Sequence, residues 1–278
     1  MKTLLLSAPG EFQDYRRQLH KDVCIGFVPT MGALHEGHLS LIKASKQNNT
    51  HTVVSIFVNP TQFGANEDFT QYPRDIQKDF KICQEAGVDV VFAPEISQMY
   101  PNNDEISINP PKNMGYIYEG FIREGHFNGV LTIVLKLIHL ICPHHIYFGQ
   151  KDAQQLLLIK RLVSDTFLPT KVIPCPTQRD FDGLALSSRN IYLSPQDRKE
   201  ALKIPIALQN IKKAIQEGEI NTSVLIELGK KELKGLEVAY LDACDYNLVQ
   251  IQKIRQNASI ILIAAKVGKT RLIDNLWI

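Results

Sequence analysis

Residues Val23 to Ile42, VCIGFVPTMGALHEGHLSLI, constrain the fold more than any other stretch. Val23–Val28 has the length and apolar content of a buried strand, and from His38 onward Leu39, Leu41 and Ile42 precede Ala44 in a spacing that suits a helix. The turn Pro29-Thr30-Met31-Gly32 therefore joins strand to helix. A helix start leaves backbone N–H groups unpaired and carries partial positive charge, so such a turn is a natural place for phosphate. Gly32 and Gly37 permit close approach of a ligand to the backbone, and His35 and His38 can donate to phosphate oxygens. A helix N-terminus with two surface histidines explains the four-letter H-x-G-H pattern equally well, so the rest of the chain must decide.

A chain of 278 residues with 44% hydrophobic content can bury a substantial core as one large α/β domain or two smaller ones. Its 31 basic and 29 acidic residues are spread without blocks of like charge, which gives no support to a nucleic-acid partner. The five cysteines, Cys24, Cys83, Cys142, Cys175 and Cys244, are scattered and never spaced C-x-x-C, so they are expected to be reduced, mostly buried thiols of a cytoplasmic protein. The run Met1–Leu6 is cut short by Ala8-Pro9-Gly10-Glu11 and is expected to be a first strand, not a signal peptide. Gly129–Cys142 is interrupted by Lys136 and His139 and falls short of the roughly 20 residues that span a bilayer, so no membrane partner is expected.

Along the chain, Thr52–Val58 is a β-branched run stopped by Asn59-Pro60, and a long polar loop follows to Asp75. Asp75–Ala86 carries a helical stripe, and Val88–Phe92 reads as a strand. Residues 93–120 are rich in proline, with only Glu105–Ile108 resembling a short strand. A long helix is expected from Asn128 to about Ile141, a strand at Ile146–Phe148, a helix at Ala153–Val163 and a strand at Lys171–Cys175. Such alternation predicts a Rossmann-like parallel sheet with helices on both faces over residues 1–176, with ligands collecting beyond the strand C-termini.

Past Pro176 the pattern changes. Ser194-Pro195 starts a helix, Pro205 predicts a kink or a break, and Asn221 or Thr222 caps a further helix to about Lys234. Leu236–Ala243, Ser259–Val267 and Thr270–Trp277 read as strands, the last two joined at Gly268-Lys269. Residues 177–278 are thus expected to form a smaller α+β C-terminal domain.

Three later patches suit triphosphate chemistry. In Gly149-Gln150-Lys151-Asp152 the lysine can place a charge on phosphate and Asp152 can hold a magnesium ion, although a solvated turn with a surface ion pair is the plainer reading of the patch alone. In Arg179–Asn190 two serines and Arg189 can grip phosphates, although a polar loop would also contain Ser-Ser. Arg123–Phe127 places a cation and a histidine before a helix, where capping is as good an account.

Taken together these segments resemble one family. P-T-M-G-A-L-H-x-G-H, N-P-x-Q-F, Y-P-R, R-x-G-H-F, G-x-K-D-x-Q and D-G-L-A-x-S-S-R-N-x-Y-L occur in order and cover nearly the first 195 residues. The chain is similar to the pantoate–β-alanine ligases of the H-I-G-H nucleotidyltransferases. The resemblance implies ATP-dependent condensation of pantoate with β-alanine to pantothenate, AMP and pyrophosphate through a pantoyl adenylate, with Mg2+ and no tightly bound organic cofactor. By resemblance, Met31, Gly32, Ala33, Leu34, His35, Glu36, Gly37 and His38 would bind ATP, with His38 the proton donor. Gly149, Gln150, Lys151, Asp152, Leu186, Ser187, Ser188 and Arg189 would complete the ATP site, and Gln178 would meet adenine through its backbone. Gln62 and Gln155 would bind pantoate, with Asn59, Arg123 and His126 as further contacts for pantoate or β-alanine. His35, Lys151 and Arg189 join His38 as expected catalytic groups, while the C-terminal domain would be a mobile lid and the protein a homodimer. Another nucleotidyltransferase activity would be separated from this one by product analysis, and a catalytically silent nucleotide-binding module by isothermal titration paired with a pyrophosphate-release assay.

Overall fold

The computed structural model describes residues 2–65, 67–102 and 104–278. The chain forms two compact units, Met1–Gln150 with Leu158–Cys175, and Lys151–Leu157 with Pro176–Ile278.

The first unit is built on a six-stranded sheet. Its strands are β1 (Leu4–Leu6), β2 (Ile25–Thr30), β3 (His51–Ile56), β4 (Val90–Phe92), β5 (His145–Gly149) and β6 (Lys171–Cys175), in the order β1-β4-β3-β2-β5-β6. Every neighbouring pair is parallel. Parallel strands need helical crossovers, which are supplied by α1 (Pro9–Gln18), α2 (Glu36–Asn48), α3 (Ile76–Glu85) and α7 (His126–Ile141), with α8 (Ala153–Asp165) linking β5 to β6. Strand alternation explains how both faces are covered. Val28, Val54, Val91 and Tyr147 pack with Leu41 and Ile42 of α2 and Cys83 of α3. The neighbouring Phe92 points the other way and meets Phe12 of α1 at a ring separation of 5.3 Å. Fully burying a side chain such as Phe27 or Ile42 contributes about 2 kcal/mol.

The strand order reverses at β2, whose neighbours are β3 and β5. The β2–β5 ladder runs only from Gly26–His145 to Phe27–Ile146, whereas β2 pairs with β3 as far as Thr30. Pro29 therefore sits where no β5 ladder bond is asked of it, and β2 extends two residues beyond the expected end at Val28. The parting of β2 and β5 at their C-terminal ends is the topological switch point where open α/β sheets bind ligands.

The proline-rich stretch holds three one-turn helices, α4 (Ile96–Met99), α5 (Lys112–Gly115) and α6 (Glu119–Ile122). The expected strand at Glu105–Ile108 is not formed: Ile108 N–H donates to the Thr132 hydroxyl and the Glu105 carboxylate takes Lys136, so side chains of α7 replace a neighbouring strand. The cysteines are mostly buried, as expected. Cys83, Cys175 and Cys244 are buried, and burial pushes their thiols up to about 12, 11 and 12, but Cys142 is exposed and Cys24 half-buried.

In the second unit β7 (Glu237–Asp245), β8 (Ser259–Val267) and β9 (Thr270–Trp277) form an antiparallel sheet with β8 in the middle. Ile261, Ile263 and Ala265 of β8 pack with Ile204, Leu208 and Ile211 of α10 (Lys203–Gln216) and Leu225 of α11 (Thr222–Glu232). Ser194 caps α9 (Pro195–Ala201), which breaks from α10 at Leu202. Pro205 lies in the first turn of α10, where a missing N–H costs nothing.

Candidate active site

In the first unit the turn after β2 is held from beneath by one carboxylate. Ala33 and Leu34 donate their N–H groups to Asp79 of α3 at 2.8 and 2.9 Å, and Asp79 is 2% exposed. Gly32 has φ +86° and a Cβ there would lie 2.8 Å from the same carboxylate, which explains the glycine. Ala33 takes φ +50°, an unfavourable left-handed conformation for a residue with a Cβ, and its bond to Asp79 helps to hold it there.

The turn's amides are largely engaged within the protein. Gly32 N–H donates to Thr30 Oγ1, His35 N–H to His38 Nδ1 at 3.3 Å and Gly37 N–H to His35 Nδ1 at 3.1 Å. The N–H groups expected to be unpaired at this helix start are therefore mostly engaged, and the turn also carries two imidazoles. Their rings lie 4.1 Å apart. Because each Nδ1 accepts from backbone, the neutral form of each ring carries its proton on Nε2, as a donor. Met31 is half-buried, while Glu36 is exposed at the start of α2.

The loop after β3 is a second construction. Asn59, 1% exposed, donates to Gln62 Oε1 and the Gly129 carbonyl and accepts from Tyr100 Oη at 2.8 Å and Thr61 Oγ1 at 3.0 Å. All of its hydrogen-bonding capacity is used. Gln62 Nε2 lies 2.9 Å from Met31 Sδ, and its second amide hydrogen remains available to a ligand. A Cβ at Gly129 of α7 would collide with the Thr61 carbonyl, so the helix and the turn pack backbone to backbone.

His126 and Arg123 extend the same network. His126 Nδ1 lies 2.8 Å from the Gln62 carbonyl and so must donate, which leaves Nε2 to accept from Arg123 Nη1 at 3.0 Å. Arg123 grips Glu67 bidentately at 2.6 and 2.7 Å. Burial pushes Glu67 up, but the Arg123 guanidinium outweighs it and holds the carboxyl below its usual value. Asn59, Arg123 and His126, expected as contacts for pantoate or β-alanine, are joined by these bonds in shaping the turn around Gln62.

Burial first, and the Arg123 charge second, depress His126 to about 4. An unfolded histidine takes up its proton near pH 6.5, so between that value and about 4 the unfolded chain binds the proton and the folded chain does not. Stability from this group is present above pH 6.5 and falls by about 3 kcal/mol as pH drops to about 4. Urea unfolding at pH 7 and pH 4 measures it. His126→Asn is expected to shrink the pH-dependent difference by most of that amount, and an unchanged difference would remove His126 from the account.

Gly149 ends β5, and Gln150 N–H continues the ladder to the Cys175 carbonyl. The remaining expected residues belong to the second unit. Lys151 is largely buried with Nζ 3.7 Å from Asp152 Oδ1, and the Asp152 carbonyl accepts from Leu156 at the start of α8. Gln154 is buried and Gln155 half-buried in the same turn. Gln178 accepts from Leu186 N–H at 3.0 Å and has a second carbonyl lone pair for a ligand. Ser187 caps the 3₁₀ turn Ser188–Tyr192 by accepting from Arg189 N–H. Among the described residues no three His, Cys, Asp or Glu side chains gather as a metal cage. The donor set suits a hard cation that takes its oxygens chiefly from phosphates and water, with Asp152 as the one carboxylate expected from the sequence.

The family model described as pantoate-beta-alanine ligase matches residues 5–277. The chain belongs to the pantoate-β-alanine ligase family. Pantothenate synthetase of Wolinella succinogenes is 52% identical over 274 residues, covering 99% of each chain. Pantothenate synthetase of Thermus thermophilus has a TM-score of 0.92 at 39% identity and 99% coverage of both chains. The pantoate-β-alanine ligase of Francisella tularensis, solved with β-γ ATP and β-alanine, has a TM-score of 0.80 at 40% identity, covering 99% of this chain and 97% of its own. Within this ligase family fold, sequence reading missed Asp79, Glu67, Tyr100 and Gly129. Two of them left a signal: Gly129, a glycine inside a largely apolar helical run, and Asp79, a carboxylate on the apolar stripe of Ile76, Phe80 and Cys83.

Proposed function

We propose that this protein condenses pantoate with β-alanine at the expense of ATP, giving pantothenate, AMP and pyrophosphate. The observation that carries this reading is the likeness, over 99% of the chain, to a ligase solved with ATP and β-alanine. A carboxylate does not acylate an amine in water because oxide is a very poor leaving group. A pantoate oxygen therefore attacks the α-phosphorus, the bond to the β-phosphate oxygen breaks, and pyrophosphate leaves. The β-alanine nitrogen then attacks the acyl carbon, loses a proton, and AMP departs.

The first step concentrates charge on the α-phosphate and the leaving pyrophosphate, so fixed donors matter most there. In this proposal His38 and His35 donate from Nε2, Lys151 and Arg189 supply charge, and Gln62 with Gln155 orients pantoate. Asp152 would help hold Mg2+, which when bound neutralises phosphate charge. Support for the first pair is that both Nδ1 atoms are committed to backbone N–H groups, which places the proton of each neutral ring on Nε2. Asn59, Arg123 and His126 shape the turn around Gln62 and are proposed as further contacts for pantoate or β-alanine. The second unit is proposed as a mobile cover that keeps water from the adenylate. A homodimer, tested by sedimentation, and a cytoplasmic location complete the proposal; among the described residues no helix is long and apolar enough to cross a membrane.

The direct test is pyrophosphate release from ATP with pantoate alone, followed by addition of β-alanine. One turnover of pyrophosphate, then steady release with pantothenate and AMP in equal amounts, is expected. Steady release without an amide product would instead indicate another nucleotidyltransferase.

A further inference from the structure

Asp274 and Asn275 are consecutive residues of β9, opposite Ile263 and Leu262 of β8, and are 3% and 5% exposed. Neighbouring strand residues point to opposite sides, so a strand that buries two polar residues in succession has a polar task on each. Asp274 takes Arg179 bidentately, Nη1 at 2.6 Å and Nη2 at 2.9 Å, and accepts the Asn275 N–H at 2.8 Å. Arg179 also donates to the Gly183 carbonyl and so clasps its own hairpin, closed by the bridge between Arg179 and Ala185. Leu186 N–H to Gln178 O and Asn190 Nδ2 to Ala185 O then tie that hairpin to Ser187, Ser188 and Arg189. On the other side Asn275 Nδ2 donates to the Lys151 carbonyl at 2.7 Å. One strand thus fastens both segments of the second unit that carry proposed phosphate ligands.

A buried ion pair contributes little net stability compared with apolar packing of the same volume, so stability alone does not account for this arrangement. What it fixes is geometry. We infer that Asp274 and Asn275 are positioning residues that lock Lys151 and the Gln178–Arg189 segment into a single phosphate-gripping body of the second unit. This rests on the proposal that Lys151 and Arg189 meet ATP.

A double-mutant cycle on single-turnover adenylate formation tests it. Asn275→Ala should slow the step about tenfold, the scale of a small misplacement of a catalytic group. In a Lys151→Ala background the same change should cost less than about twofold, because its effect passes through Lys151. Asn275→Asp, equal in shape but without the donor, should reproduce Asn275→Ala and guards against a variant that fails to fold. Asp274→Asn should show the matching pattern, its loss vanishing in an Arg189→Ala background and persisting in Lys151→Ala. Full loss from Asn275→Ala in the Lys151→Ala background, or none in the native one, overturns the inference. Normal adenylation by Lys151→Ala alone overturns the underlying site reading, and is seen without touching β9.

Discussion

Lys151→Ala is expected to lower the rate of pantoyl adenylate formation by roughly 100- to 1000-fold, the cost of removing one fixed donor from a charge-developing transition state. Lys151 is largely buried just before α8, so its charge is only weakly screened by water and reinforces the positive end of that helix. Its carbonyl is held by Asn275, which fixes the base of the side chain before substrate arrives. The second step does not expel pyrophosphate, so amide formation from preformed adenylate should suffer much less. Rapid-quench measurement of both steps separates them. Lys151→Met, which keeps most of the apolar stem, should behave like the alanine variant if charge is what matters. Near-normal adenylate formation in either variant would remove Lys151 from the chemistry.

The sheet was legible where strands are buried on both faces. The β-branched run around Val53 and Val54 and the apolar run around Phe27 need no partner to be recognised as core strands. Their ends were less so, because whether Pro29 can belong to β2 depends on how far β5 pairs with it, a fact about a strand more than a hundred residues away. The one-turn helices α4, α5 and α6 are too short to show a periodicity, and the false strand at Glu105–Ile108 had the right residue types but no neighbour. At the site, motif residues stood out because phosphate chemistry demands particular side chains at particular spacings. The supports did not. Glu67 looks like any loop carboxylate until Arg123 is folded against it, and Asn59 shows its value only when Tyr100, Thr61, Gln62 and Gly129 are around it. Asp274-Asn275 could have been noticed, since two successive polar residues between the apolar pairs Leu272-Ile273 and Leu276-Trp277 break the strand's pattern.

Asp79 is the clearest such support, and its removal should be severe. In sequence it is a carboxylate set among Ile76, Phe80 and Cys83 on the apolar face of a helix, but nothing there names a turn more than forty residues earlier as its partner. In the fold its carboxylate is the acceptor for two amides of that turn and the neighbour that keeps residue 32 a glycine. Asp79→Ala leaves the Ala33 and Leu34 N–H groups without their acceptor, at about 2 kcal/mol each, so a loss of about 4 kcal/mol in urea unfolding is expected. It also frees the left-handed Ala33, and the turn can relax away from the geometry that aims His35 and His38. A displacement of about 1 Å in such a group costs about 100-fold in rate, so kcat/KM for ATP should fall by that order even in protein that remains folded. Asp79→Asn distinguishes the two effects. It keeps one carbonyl acceptor but sets an NH2 group against the second amide, so it should recover part of the stability while adenylation stays strongly impaired. If Asp79→Asn has native adenylation, the carboxylate supports only the fold and the histidines are aimed by other means.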